Sequence, residues 1–212
     1  MYTIQQTSVQ RTLDRMHQEA NSEGMTILKG LTKGVFRKLE PADMSKAYIA
    51  ISEGQGKYIY DLLVENQVRH IVEFGTSFGI STLYLAAAAQ VNDGKVITTE
   101  LLPEKCLVAA QNFEEAGMTP WIDLREGDAM ETLKEVEAGI EFLLLDGWND
   151  LYLPLLKLLE PKLKPGCLIY TDNASFPSAQ PFLRYLKAHP ETYRSRRLYD
   201  DKGGSELTEF LG

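Results

Sequence analysis

From His70 onward the chain alternates short apolar runs with longer amphipathic ones, and this rhythm constrains the fold more than any other feature. Strand-like runs fall at 70–74, 95–100, 122–125, 141–146 and 166–172, with helix-like runs between and after them at 80–90, 103–116, 129–137, 151–159 and 178–189. Strands separated by a helix cannot pair through a tight turn, so strict alternation predicts a parallel sheet covered by helices on both faces. Residues 142–145, Phe-Leu-Leu-Leu, read as a strand buried on both faces. Proline at 103 and glycine at 117 mark the start and stop of one helix. Two last strands, at 193–199 and 205–211, are joined only by the turn from Asp200 to Gly204 and must pair antiparallel. Upstream, helices are expected at 7–20, 42–51 and 55–66, with a mixed, glycine-interrupted stretch at 21–40.

Length and charge narrow the function classes. A chain of 212 residues is expected to form one domain with a well-buried core. A net charge of -8 argues against nucleic acid as a partner, because phosphate binding wants a basic face. The apolar runs fall short of a membrane span, and the first residues lack a basic stretch followed by an apolar core, so no membrane partner and no export signal are expected. A cytoplasmic protein with reduced Cys106 and Cys167 is the corresponding expectation.

The chemistry-bearing residues collect at strand ends. The stretch Glu73-Phe-Gly75-Thr76-Ser77-Phe-Gly79-Ile-Ser81 joins the first strand to a helix. Free N–H groups at such a helix start suit anions and nucleotides, and the glycines permit a tight turn close to a ligand. The spacing differs from the dinucleotide fingerprint, so a purely structural turn stands beside the binding reading. Glu100, ending the second strand, is placed to accept both hydroxyls of a ribose, or simply to precede the helix that begins at Pro103. Asp128 suits a helix cap, a contact with an adenine ring, or both. Asp146 and the pair Asp172-Asn173 end two further strands, where three side-chain oxygens would suit a hard divalent cation such as Mg²⁺. Helix capping by either group alone is the plainer alternative.

Taken together, Glu73-x-Gly75-x-x-x-Gly79-x-Ser81, Glu100, Gly127-Asp128-Ala129, Asp146-Gly-Trp148 and Asp172-Asn173 resemble the S-adenosylmethionine-dependent, metal-dependent small-molecule O-methyltransferases of the catechol O-methyltransferase type, over roughly residues 54–212. The resemblance implies an α/β fold, a seven-stranded Rossmann-like class I methyltransferase sheet of order 3-2-1-4-5-7-6 with the seventh strand antiparallel. It implies S-adenosyl-L-methionine held by Glu73, Gly75, Thr76, Ser77, Gly79 and Ser81 at the methionine end, by Glu100 and Leu101 at the ribose, and by Asp128 and Ala129 at the adenine, with Asp146 and Trp148 also bordering it. It implies Mg²⁺ on Asp146, Asp172 and Asn173, leaving positions for two substrate oxygens and a water. The implied substrate is a small aromatic diol, with Trp148 as a wall or gate, and the implied assembly is a homodimer.

Two residues depart from the resemblance. Asn149 stands at the catalytic position where the family usually has a lysine base, and an amide takes no proton at neutral pH. Either metal acidification suffices, or another group such as Asp150 or Lys57 substitutes, or the chain binds cofactor with weak or no catalysis. Tyr199 falls where a relative acting on catechols uses a glutamate against the substrate, which opens the choice of substrate, including another small nucleophile. Residues 1–53 are read as a helical lid or dimer-contact segment beside the methyltransferase unit 54–212. The three histidines are dispersed, and no Cys/His cluster or G-x-S-x-G elbow appears, so structural zinc and serine hydrolysis lack support.

Overall fold

The computed structural model of the chain describes residues 7–31, 51–198 and 203–212, the side chains of 23–31 excepted. Tyr199 and all of the expected helix at 42–51 except Ile51 lie outside the described residues, and Ile51 is buried and outside any helix. Seven strands form one sheet: β1 (His70–Phe74), β2 (Lys95–Glu100), β3 (Ile122–Glu126), β4 (Ile140–Leu145), β5 (Leu163–Thr171), β6 (Tyr193–Leu198) and β7 (Ser205–Phe210). Their order is β3-β2-β1-β4-β5-β7-β6. The first five run parallel, and β7 runs antiparallel to both β5 and β6. The helices are α1 (Thr7–Leu31), α2 (Glu53–Glu65), α3 (Ile80–Asn92), α4 (Pro103–Ala116), α5 (Ala129–Thr132), α6 (Tyr152–Leu159) and α7 (Gln180–Ala188).

Successive strand residues point to opposite faces, so each buried strand supplies two cores. Ile71, Phe142, Leu144 and Tyr170 enter one core with Leu83, Ile59 and Leu63 of the helices α3 and α2. Val72, Leu143, Leu145 and Ile169 enter the other with Tyr152, Leu156 and Phe182 of α6 and α7. Side chains such as Leu143 and Leu144 are wholly buried, each worth about 1.5–3 kcal/mol of transfer free energy. Helix α3 is buried from Ile80 to Ala89 because α1 and α2 cover it, and its alanine run lets them approach closely. Val9, Leu13 and Met16 of α1 join this first core, and Arg15 bonds Asn112 and Glu115 on α4.

Three expectations change. Helix α1 runs through Gly24 and Gly30 to Leu31, since a glycine inside a helix costs only about 1 kcal/mol. The expected helix at 129–137 stops at Thr132. Its carbonyls find other donors: Arg125 Nη1 donates to the Thr132 carbonyl (2.7 Å), and Lys162 Nζ donates to those of Lys134 and Val136. Leu133 and Val136 remain buried without the helix. The helices expected from 151 and 178 each begin with a 3-10 turn, at Asn149–Leu151 and Pro177–Ala179. Cys106 and Cys167 are separate, buried and free. Among the described residues no helix is long and apolar enough to cross a membrane.

Candidate active site

Strand order reverses between β1 and β4, so the loops leaving their C-terminal ends diverge and open a crevice, the usual ligand position of an open α/β sheet. The β4–β5 register pairs Leu145 with Thr171, and the Asp172 amide donates to the Leu145 carbonyl (2.9 Å). One step beyond each strand end, Asp146 and Asp172 therefore stand side by side. By strand alternation both lie on the face of Leu144 and Tyr170, toward α2 and α3. Burial, then the charges of Asp172 and Glu73, hold the Asp146 carboxyl well above the usual carboxylate range. Two acids so placed suit a shared proton or an intervening cation. Asn173 adopts a left-handed conformation (φ 55°), and its Nδ2 donates to Asp172 Oδ2 (2.9 Å). No cluster of three His, Cys, Asp or Glu occurs among the described residues, so an amide oxygen would have to complete a three-oxygen set.

The turn after β1 packs directly on the backbone of Asp146 and Gly147. Gly75 has φ 105°, and a Cβ built there would lie 2.7 Å from the Asp146 carbonyl oxygen and 2.8 Å from Gly147 Cα. Gly79 caps α3 at φ 95° with no side-chain hydrogen bond, leaving first-turn N–H groups of α3 without a described side-chain partner. Glu73 is wholly buried; Thr82 Oγ1 (2.5 Å) and Thr98 Oγ1 (2.6 Å) donate to its Oε2. Its Oε1 is buried with no hydrogen-bond partner among the described residues. Burial raises the Glu73 carboxyl, against the lowering by hydroxyls of Ser81, Thr82 and Thr98. Ser81 is buried in the first turn of α3. Thr76 Oγ1 shares a hydrogen bond with Thr98 Oγ1 (2.5 Å).

Glu100 sits across the turn and accepts from the amides of Ser77 (2.9 Å) and Leu102 (3.0 Å). Leu101 is exposed beside it. Asp128 is the N-cap of α5, its Oδ1 accepting from the Met130 amide (2.9 Å), with Ala129 buried behind. Trp148 is half-buried and packs on the second core. Asn149 is partly buried, its Nδ2 enclosed with no partner among the described residues. Of the substitute bases, Lys57 is exposed and pairs with Glu53 (2.5 Å), and Asp150 is exposed.

Sequence reading missed three contributors. Gln55 is buried on α2, and its Nε2 donates to Asp172 Oδ1 (2.9 Å); the only local signal is the capping-box pattern Ser52-x-x-Gln55. Lys105 is buried over the Phe78 ring, its Nζ 3.3 Å from Ser77 Oγ, and burial lowers its pKa. Tyr152 donates toward the carbonyls of Gly147 and Asp172, each at 3.3 Å. Nothing in the periodicity announces the last two.

Comparison with known proteins agrees with this fold. The family described as "Methyltransferase domain" matches residues 72–174. The catechol O-methyltransferase of Niastella koreensis is 32% identical over 136 residues, covering 62% of this chain and 61% of that protein. Caffeoyl-CoA O-methyltransferase 1 of Eucalyptus globulus is 27% identical over 147 residues, covering 64% and 59%. The chain thus spans about six-tenths of the length of these curated relatives. An O-methyltransferase from Bacillus cereus, solved in complex with SAH, superposes with a TM-score of 0.76 at 20% identity, covering 94% of this chain and 90% of that one; at that identity it speaks for the fold. The chain thus carries a methyltransferase-domain match over its central part and is similar to O-methyltransferases of the catechol and caffeoyl-CoA types.

Proposed function

We propose that the chain transfers the methyl group of S-adenosyl-L-methionine to one hydroxyl of a vicinal dihydroxy aromatic held through a divalent cation, with Mg²⁺ as the natural choice. The observation that carries this reading is the β4–β5 register: it sets Asp146 beside Asp172 directly under the glycine turn. In the transfer the methyl carbon–sulfur bond breaks as the oxygen–carbon bond forms, the bonding pair stays on sulfur, and the hydroxyl proton leaves.

The residues present fit both groups. The orphaned, buried Oε1 of Glu73 suits an ammonium group, and the uncapped N-terminus of α3 suits a carboxylate, the two ends of an amino acid. The Gly75 cradle, which a Cβ would fill, lets that ligand approach the backbone. Glu100 accepts one amide bond at each carboxylate oxygen and retains lone pairs for ribose hydroxyls. Asp128 and Ala129 border the far end at the start of α5. Asp146, Asp172 and Asn173 would hold the cation, whose chemistry when bound is Lewis acidity toward a chelated diol. The enzyme's own work is alignment and charge stabilisation. Trp148 would border the flat acceptor. Asn149 cannot remove the proton, so the hydroxyl proton passes to water or solvent base.

Calorimetric titration with S-adenosylmethionine, then methyl transfer to a panel of catechols with Mg²⁺ and with EDTA, tests the proposal. Turnover indifferent to EDTA would remove the cation. Cofactor binding without turnover on any diol would favour a binding protein in which Asn149 has silenced the chemistry.

A further inference from the structure

We propose that Gln55 is a positioning residue for the cation site: its side-chain amide holds the Asp172 carboxylate in its binding orientation from a helix far away in sequence. The inference rests on the cation reading above.

The geometry leaves the amide no choice of direction. Ser52 N–H, a donor only, points at Oε1 at 2.7 Å, and Ser52 Oγ also donates to Oε1 at 2.9 Å. The opposite end must then be the NH₂, and it meets the Asp172 carboxylate at 2.9 Å and Tyr170 Oη at 3.4 Å. The Ser52 N–H can only donate, and that bond alone fixes the assignment. Gln55 is 8% exposed and Asp172 7%, so water competes little for these bonds. On the other side, Asn173 Nδ2 donates to Asp172 Oδ2. Donors at both oxygens oppose rotation of the carboxylate. Both are neutral, so they orient the acid without contributing positive charge against a cation.

The same side chain completes the capping box of α2, so a purely structural role needs to be separated from a positioning one. Ser52→Ala removes the cap hydroxyl while keeping the backbone N–H that anchors Oε1. Gln55→Met and Gln55→Leu remove the amide altogether, and two shapes are used so that failure of one to fold does not end the test. Mg²⁺ and Mn²⁺ are titrated into the full-length, cofactor-free proteins by calorimetry, with melting temperatures recorded alongside. The expected result is a lower melting temperature in all variants, a cation affinity near wild type for Ser52→Ala, and one weakened about 10–100-fold for the folded Gln55 variants, the usual effect of losing a partner behind a metal ligand. Wild-type affinity in the Gln55 variants overturns the inference. So does an equal loss in Ser52→Ala, which would make the effect one of helix capping. A wild-type protein that binds neither cation overturns the cation reading itself, and the inference with it.

Discussion

Gly75→Ala probes the contact on which the site depends. Gly75 has φ 105°, and its missing Cβ leaves room for the Asp146 carbonyl at 2.7 Å and Gly147 Cα at 2.8 Å. These are backbone atoms, held by the Asp146 amide donating to the Phe74 carbonyl (3.0 Å), and they cannot swing aside as a side chain does. Gly117 is the matched control: it also has positive φ (71°) at the end of α4, but nothing lies within 4 Å of a built Cβ. Alanine at Gly117 should therefore cost only the left-handed backbone penalty, about 1–2 kcal/mol. Alanine at Gly75 should add an overpacking cost of about 1–3 kcal/mol to a comparable backbone penalty, about 2–5 kcal/mol in all. For a chain of this size each kcal/mol lowers the melting temperature by about 2–4 °C. Urea and thermal unfolding of both variants measure the difference, and calorimetry with S-adenosylmethionine shows whether affinity falls with Gly75 alone. Equal destabilisation by the two substitutions, or cofactor affinity lost equally, would refute the argument that close approach of the two loops builds the site.

Three further outcomes follow from the same geometry. Asp146→Asn removes one of two opposed acids, so the cation-free protein should hold or gain stability, while the stabilisation of about 2.7 kcal/mol expected from a cation at a hundred times its Kd disappears; a variant still stabilised by Mg²⁺ would exclude Asp146 as a ligand. Burial raises the Glu73 carboxyl above its ordinary value of 4.5, so the folded state keeps a proton that the unfolded chain releases, and this group's stabilisation declines as pH climbs from there through the folded pKa. Glu73→Gln should remove that slope, with the stability difference shifting toward the variant from pH 5 to pH 8 in urea titrations; a difference independent of pH contradicts it. Asn149→Lys should increase methyl transfer more at pH 7 than at pH 9, where the diol ionises more readily without a base; equal gains at both pH values count against unassisted deprotonation.

What the sequence determined by itself is local in origin. Residues 142–145 announce a strand buried on both faces because residue type and period suffice. Pro103 and Gly117 bound α4 as expected, and the short link between β6 and β7 required antiparallel pairing. The glycine turn and the acids at 146 and 172 were visible as strand-end residues, and the strand order was expected from the family resemblance rather than from any periodicity. Helix 129–137 misled because its pattern of apolar residues was right while its carbonyls were claimed by Arg125 and Lys162 from other elements. The tertiary structure alone decided that Asp146 and Asp172 share a register, that Gly75 has no room for a methyl group, and that Gln55 reaches Asp172 across the sheet face. Strand pairing and helix packing create those contacts between residues far apart in the chain, and local propensity carries no record of which distant donor meets which acceptor.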